Sequence, residues 1–247
     1  MAKLICPACK TASEGHEMCP ACGYPIVPIP TPPGGKLSFA GYDWFVLEKR
    51  EDRILLVTEK VIEKRPYHTK MEPVTWERSD LRAYLNGAFY ARLPADDRAR
   101  ILRVTNENPD NRWYHTPGGN PTDDYVFVLS VDEILRYFGD SGQILTRYMY
   151  PGCDWCRDEY LPWIDDRYSL NRRAVDETGI VTRYWTRTPG ANPYAVADIG
   201  GFCGDGFDQG GIMMSGVCNM ENGHFLLDEK EDLNIPVGVR AAVWVRI

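Results

Sequence analysis

Strict alternation of apolar and other residues runs through the stretch VGVRAAVWVRI at 237–247. Every second position, beginning at Val237, is apolar, whereas Arg240, Trp244 and Arg246 fall on the other face. A period of two is typical of a β-strand with one buried face. The pattern therefore predicts one continuous, half-buried strand over the whole segment.

Three further patterns predict local elements in the first half of the chain. The stretch at 42–62 has two apolar runs around a charged turn, which predicts a β-hairpin. Ser79 precedes leucines spaced one turn apart and is placed to cap a helix. Pro94 suits the first position of another helix, which the pattern extends through Ile101.

The middle of the chain contains a buried run followed by a capped helix. The stretch YVFVLS at 125–130 predicts a short buried strand. Ser130 and Glu133 have the spacing of a capping box, and Gly139 is placed to end the helix that follows. Residues 140–236 are rich in Gly, Asp, Asn, Tyr and Pro, so we expect short elements and long loops there.

A proline-rich stretch divides the chain into two parts. The segment VPIPTPPGG at 27–35 contains four prolines and two glycines, which make a stiff, extended spacer. We therefore assign a small N-terminal unit to 1–28, a Pro/Gly linker to 29–35 and a single large domain to 36–247.

The overall charge narrows the classes of partner. The net charge of −7 argues against general attraction to nucleic acid or to anionic membranes. No apolar run of about 20 residues occurs, so the sequence predicts no transmembrane helix. The N-terminus lacks the apolar stretch of a signal peptide, and we expect a cytoplasmic protein with reduced thiols. The sequence does not indicate the oligomeric state.

Four cysteines in the N-terminal unit have the spacing of a zinc ribbon. Cys6 and Cys9, like Cys19 and Cys22, are separated by two residues, so that each pair can bind one metal from a tight turn. Disulfides and a redox pair are the alternatives, but a segment with so small a core needs a metal or a crosslink in order to fold. We predict one structural zinc ion, with His16 outside the ligand set.

The remaining cysteines carry a weaker signal. Cys153 and Cys156 repeat the same spacing, whereas Cys203 and Cys218 lie apart in the loop-rich half. A second metal site, a disulfide and buried thiols are all compatible with this pattern, and we favour buried thiols.

Four ordered motifs resemble a known family. The stretches VTWERSDLRAYLNGAFY (74–90), YVFVLSVDEILRYF (125–138), RYWTRTPG (183–190) and VGVRAAVWV (237–245) are similar to those of an uncharacterised bacterial family. Zinc ribbons precede the domain in that family, which is distantly related to formylglycine-generating-enzyme-like domains and to the variable proteins of diversity-generating retroelements. The chain departs at Ala241, where the family has proline, and at Tyr184, where it often has tryptophan.

The resemblance implies an α+β, C-type-lectin-like domain after the ribbon, with short helices, a mostly antiparallel sheet and long loops. It also implies that Val239, Val243 and Val245 face the core and that their strand lies near YDWFVL at 42–47. The resemblance implies that loops on such a scaffold bind a protein or other macromolecular ligand, and a narrower version of this expectation is that a retroelement diversifies the loops. The residues that suit such binding loops are Asn192, Tyr194, Asp205, Phe207, Asp208, Gln209, Asn219, Glu221, Asn222 and His224.

Other functions have less support in the residues. A metal- or thiol-dependent enzyme of the formylglycine-generating-enzyme-like fold would have only Cys203 and Cys218 available. A nucleic-acid-binding regulator would act through the ribbon, whose positive and negative charges balance. Calcium could bind Asp205, Asp208 and Glu221, but no calcium-loop motif occurs.

Charged and aromatic pairs outside the loops have simpler interpretations. We interpret the pairs at 123–124 and 165–166 as solvated turn charges. Trp185 and Trp244 are expected in the core, where Arg187 and Arg240 would bridge strands or carboxylates.

Overall fold

The computed structural model describes residues 4–6, 9–13, 19–21, 30–142, 145–148, 160–164, 166–200, 210–214 and 237–247. The described residues form an α+β fold with short helices and mostly antiparallel sheets, which confirms the predicted class. Its strands are β1 (Leu4–Ile5), β2 (Ala12–Ser13), β3 (Lys36–Phe39), β4 (Tyr42–Lys49), β5 (Arg53–Thr58), β6 (Glu63–Arg65), β7 (Ile101–Leu102), β8 (Val104–Asn106), β9 (Thr122–Asp124), β10 (Leu145–Tyr148), β11 (Tyr160–Ile164), β12 (Tyr184–Pro189), β13 (Val196–Ile199), β14 (Ile212–Met213), β15 (Val237–Val239) and β16 (Ala242–Arg246).

The helices are short. They are α1 (Asp80–Tyr84), α2 (Tyr90–Arg92), α3 (Ala95–Arg98), α4 (Val131–Phe138) and α5 (Ser169–Arg172), with a 3₁₀ turn at Trp76–Arg78 and a π-helical turn at Leu85–Phe89. Across the described residues, no helix combines the length and the apolar character needed to cross a bilayer.

Two larger sheets organise the described part of the domain. One has the strand order β3-β4-β5-β16-β7, and the other has the order β10-β11-β14-β13-β12-β15-β6. The predicted hairpin is confirmed, because β4 and β5 pair antiparallel with Phe45 opposite Val57. The β12–β15 pair is parallel, with Tyr184 opposite Gly238, while the other described pairs are antiparallel.

The segment at 237–247 corrects the prediction of one continuous strand. β15 pairs with β6 and β12 in the seven-stranded sheet, whereas β16 pairs with β5 and β7 in the five-stranded sheet. Val239, Val243 and Val245 are buried as predicted, and only β5 separates β16 from β4. Arg240 is buried too, because it lies where the chain passes between the two sheets.

Ser79 caps a helix as predicted, whereas the helix at Pro94 begins one residue later and ends earlier than predicted. The Ser79 hydroxyl accepts a hydrogen bond from the Arg82 amide at 3.1 Å, which confirms the predicted cap. Pro94 precedes α3, but the helix ends at Arg98, and Ile101 lies in β7 opposite Val245. The prediction of helix through Ile101 is therefore wrong, because sheet pairing replaces further helical turns.

The capping box ahead of α4 is confirmed. The Ser130 hydroxyl accepts from the Glu133 amide at 3.2 Å, and the Glu133 carboxylate accepts from the Ser130 amide at 2.8 Å. Gly139 ends the helix with a φ of 111°, a conformation that glycine adopts without strain.

The stretch at 125–130 is buried, but it is not the predicted strand. Its β-pairing is one isolated bridge between Phe127 and Ala242. The Asn86 side chain replaces a neighbouring strand here: its carbonyl accepts from the amides of Tyr125 at 2.7 Å and Val126 at 3.3 Å, and its amide donates to the Val126 carbonyl at 2.9 Å. The π-helical turn contains Asn86 and holds it in this position.

Candidate metal centre and binding surface

Three cysteine side chains meet in the N-terminal unit. The Sγ atoms of Cys6, Cys9 and Cys19 all lie within 4.8 Å of one another, and those of Cys9 and Cys19 are 3.5 Å apart. That separation is far longer than a disulfide bond of about 2.05 Å. It is close to the roughly 3.8 Å edge of a tetrahedron with metal–sulfur distances of about 2.3 Å. The three thiols could therefore hold a metal ion.

A short hairpin positions the first two thiols. β1 and β2 pair antiparallel, and the Cys6 amide donates to the Thr11 carbonyl at 2.9 Å. The Lys10 amide donates to the Cys6 carbonyl at 2.9 Å, and Lys10 has a φ of 62°. This left-handed residue reverses the chain directly after Cys9, and the turn keeps both thiols on one side.

The other predicted cysteine sites lie outside the described residues. Cys22 is the fourth predicted ligand, and its role stays a prediction. The same holds for His16 and for the four cysteines of the large domain, Cys153, Cys156, Cys203 and Cys218.

Two of the predicted binding-loop residues, Asn192 and Tyr194, lie in the described turn at 189–195. The Asn192 side-chain carbonyl accepts from the Tyr194 amide at 2.8 Å, and the Gly190 amide donates to the Ala195 carbonyl at 2.7 Å. Both side chains are half-buried. Outside the described residues lie Asp205, Phe207, Asp208, Gln209, Asn219, Glu221, Asn222 and His224.

A second loop, at 107–121, lies against this turn and was not predicted as part of the binding surface. Buried Asn111 joins the two: its side-chain amide donates to the Pro189 carbonyl at 2.8 Å, and its side-chain oxygen accepts from the amides of Trp113 and Tyr114 at 2.9 and 3.1 Å. The loop is therefore held in place from inside. A run of Asn, Pro and Gly around a Trp–Tyr pair was the sequence signal for it.

The surface of the 107–121 loop combines aromatic and charged groups. Trp113 and Tyr114 are half-buried against the core, and the Arg112 guanidinium stacks 4.5 Å from the Trp113 ring. Burial raises the pKa of Tyr114. His115 is exposed and has a φ of 57°. We call the 107–121 loop and the 189–195 turn together the loop surface.

The interpretation of the aspartates at 123–124 as turn charges is wrong for Asp124. Both residues lie in β9, and the Asp124 side chain is fully buried. Its carboxylate accepts hydrogen bonds from five donors, which belong to Trp76 (3.0 Å), Arg82 (2.6 Å), Asn86 (3.3 Å), Asn106 (3.0 Å) and Thr122 (2.8 Å). Asp124 therefore joins β8, β9 and the helical segment around α1.

Asp166 is likewise buried, so the turn-charge interpretation fails there too, while Asp165 lies outside the described residues. The Arg172 guanidinium is 3.0 Å from the Asp166 carboxylate, and neither side chain is accessible to solvent. Burial raises the pKa of Asp166, but hydrogen bonds from Arg172 and Ser141 outweigh that effect and hold it below its usual value.

The predicted structural roles hold for Trp185 and Arg187, and in part for Trp244 and Arg240. Trp185 is fully buried, and Arg187 forms an ion pair with Glu133 and donates to the Val128 carbonyl at 3.0 Å. Trp244 is only half-buried at the edge of the core, where Arg50 and Arg53 stack 4.7 and 5.1 Å from its ring. Arg240 bridges strands but meets no carboxylate within the described part of the chain.

Residues 51–247 match the family described as "Domain of unknown function (DUF6273)", and the chain belongs to this family. No curated protein and no solved structure matches the chain. The family description assigns no activity, so the functional argument depends on the residues themselves.

Proposed function

We propose that the chain is a binding protein whose large domain, of a C-type-lectin-like fold, presents its loop surface to a protein or other macromolecular ligand. The observation that carries this proposal is the connection made by Asn111, which fixes two surface loops to each other and to β12. Loops held on a rigid scaffold are the usual place for recognition.

The chemistry of the loop surface supports a macromolecular ligand. Trp113 and Tyr194 are half-buried aromatic side chains with a polar atom, and Asn192 adds an adaptable amide. Rigid aromatic groups offer contact area at a low cost in conformational entropy, and amides add hydrogen bonds. The same combination is typical of binding loops in other scaffolds.

We further propose that the N-terminal unit is a zinc ribbon that docks or tethers the protein. Cys6, Cys9 and Cys19 supply three thiolate ligands, and Cys22 completes a tetrahedral site. Four thiolates favour zinc among the common divalent metals, and binding it would contribute directly to the folding of so small a unit. A cytoplasmic location agrees with reduced thiols.

A comparison of captured ligands tests the binding proposal. Immobilised wild-type protein, a Trp113→Ala/Tyr194→Ala variant and a Tyr90→Ala control are exposed to the same cell extract. Tyr90 is a half-buried aromatic that stacks on Tyr125 and belongs to neither loop. We expect a ligand that binds the wild type and the control but not the loop variant. Capture that is equal for all three proteins, each with a native circular dichroism spectrum, would contradict the proposal.

Diversification of the loops by a retroelement is a narrower version of the same proposal. A reverse-transcriptase gene and a near-copy of the 3′ coding segment that differs at adenines should then lie beside this gene. Sequencing of the neighbouring genes tests this version. If neither the reverse-transcriptase gene nor the near-copy is found there, diversification is excluded and the binding proposal is unaffected.

A further inference from the structure

Arg240 is a buried cation whose hydrogen-bond and ring contacts among the described residues are with neutral groups. Its side chain is 1% exposed, and its guanidinium lies 5.2–5.5 Å from the ring centres of Phe45, Phe138 and Tyr184. Nε donates to the Thr58 carbonyl at 2.8 Å, and one terminal nitrogen donates to the Tyr184 hydroxyl at 3.3 Å. The other terminal nitrogen, Nη2, has no hydrogen-bond partner in the described part of the chain.

Arg172 is a second buried cation with unused donors. Its side chain is 0% exposed, and Nη2 donates to the Gly139 carbonyl at 2.7 Å and to Asp166 at 3.0 Å. Nε and Nη1 have no partner among the described residues. A buried donor without a partner is costly, at about 1–3 kcal/mol or more for a charged group.

The Tyr184 hydroxyl connects the two arginines. It accepts from Arg240 and donates to the Arg172 backbone carbonyl at 2.5 Å. Burial raises the pKa of Tyr184, although the positive charges of Arg240 and Arg172 oppose this effect, so both act on one phenol. The Thr58 carbonyl accepts the hydrogen bond from Arg240 Nε. The Thr58 hydroxyl is also buried, and it has no hydrogen-bond partner within the described ranges.

The charge balance of this cluster is positive. Arg172 and Arg240 bring two guanidinium charges, and Asp166 brings the one carboxylate that contacts them within the described residues. An uncompensated buried charge is strongly destabilising, and arginine pairs readily with oxyanions through several N–H groups. A small anion would supply both the missing charge and the missing acceptors.

We propose that Arg172, Arg240, Tyr184 and Thr58 form a buried site for one small oxyanion of the phosphate or sulfate class. Four partnerless groups are available: Nε and Nη1 of Arg172, Nη2 of Arg240 and the Thr58 hydroxyl. A tetrahedral oxyanion can accept from all of these donors and brings negative charge to the two guanidinium groups. The burial of every group limits the ligand to the size of an inorganic anion. This site is independent of the loop surface and of the metal centre.

Two measurements on the full chain test the site. Protein purified without phosphate or sulfate in the buffers is denatured, and the released anions are quantified by ion chromatography. The same protein is then titrated with inorganic phosphate, and separately with sulfate, against chloride at matched ionic strength while Tm is recorded. We expect about one released oxyanion per chain or a saturable rise in Tm with one of the two anions. The absence of both results overturns the proposal.

Variants locate the anion. Thr58→Val is nearly isosteric and should weaken the response to phosphate or sulfate by up to about tenfold through loss of one hydrogen bond. Arg240→Gln should abolish the response, whereas Arg50→Gln, which changes an exposed arginine, should keep it. Where Arg240→Gln does not fold, Thr58→Val alone decides. A wild-type response in Thr58→Val, or in a folded Arg240→Gln protein, assigns the anion elsewhere and overturns the site.

Discussion

Replacement of Asp124 by alanine is the sharpest test of the structural account. The substitution removes one carboxylate that accepts hydrogen bonds from five donors in the interior. The alanine side chain offers no acceptor, and the carboxylate leaves a space that is closed to solvent. The effect should therefore come from unpaired donors rather than from lost hydrophobic contact.

The size of the effect depends on which donors keep another partner. Arg82 also donates to the carbonyls of Glu77 and Asp123 at 3.2 Å, and Asn86 also donates to Val126. The side-chain donors of Trp76, Asn106 and Thr122 have Asp124 as their described acceptor. Three donors left without an acceptor at about 1 kcal/mol each, the low end of the usual range, together with the loss of a partly buried ion pair, give a destabilisation of about 4 kcal/mol. Such a loss is a large part of the roughly 5–15 kcal/mol that stabilises a domain.

Urea unfolding followed by tryptophan fluorescence measures this loss. Asp123→Ala is the matched control, because Asp123 is exposed and bonds to Thr105 at 2.7 Å at the surface, and it should cost less than about 1 kcal/mol. Asp124→Asn keeps one acceptor and should fall between the two. If Asp124→Ala is no more destabilising than Asp123→Ala, the carboxylate does not hold the fold together and the reasoning is wrong.

Three further outcomes are expected. Ser130→Ala should lower the unfolding free energy by about 1 kcal/mol through loss of the capping box, and an unchanged urea midpoint would contradict this. Hydrogen bonds from Thr69 lower the pKa of Asp80 below its ordinary value of 3.8. The ionised carboxylate therefore stabilises the folded state above pH 3.8, and this contribution is lost as the pH falls through the lowered pKa. The stability gap between wild type and Asp80→Asn should therefore close in acid; a gap that is constant from pH 7 to pH 3 would argue otherwise. If the proposed site holds zinc, Cys9→Ser should lower the bound zinc, measured by a colorimetric assay, from the expected one ion per chain toward none, and full retention would exclude Cys9 as a ligand.

Elements defined by neighbouring residues were predictable from the sequence. The hairpin of β4 and β5 and the cap of α4 depend on residues a few positions apart, so their patterns contain the whole signal. The stretch at 125–130 and the segment at 237–247 depend on distant partners. Burial alone does not say whether a side chain such as Asn86 or another strand will satisfy a backbone.

The candidate sites also divide into features that depend on neighbouring residues and features that depend on distant partners. The cysteine spacing of the N-terminal unit is local, and three of its four thiols meet as predicted. The role of Asp124 depends on donors 38 and 48 positions away, and an aspartate pair gives no sign of them. The contribution of Asn111 to the loop surface was hidden for the same reason, since its acceptor at Pro189 is 78 positions distant.

The passage of the chain between the two large sheets has a consequence for cooperativity. The five-stranded sheet is built from early segments but contains β16, and the seven-stranded sheet is built from later segments but ends in β6. The hydrogen bond from Arg240 to Thr58 spans 182 positions of sequence. Each sheet contains a strand from the other part of the chain, so neither part should keep its structure alone. Unfolding of the two sheets should therefore be a single transition. Two separately produced halves should therefore be unstable on their own and gain structure only when mixed, each completing the sheet of the other.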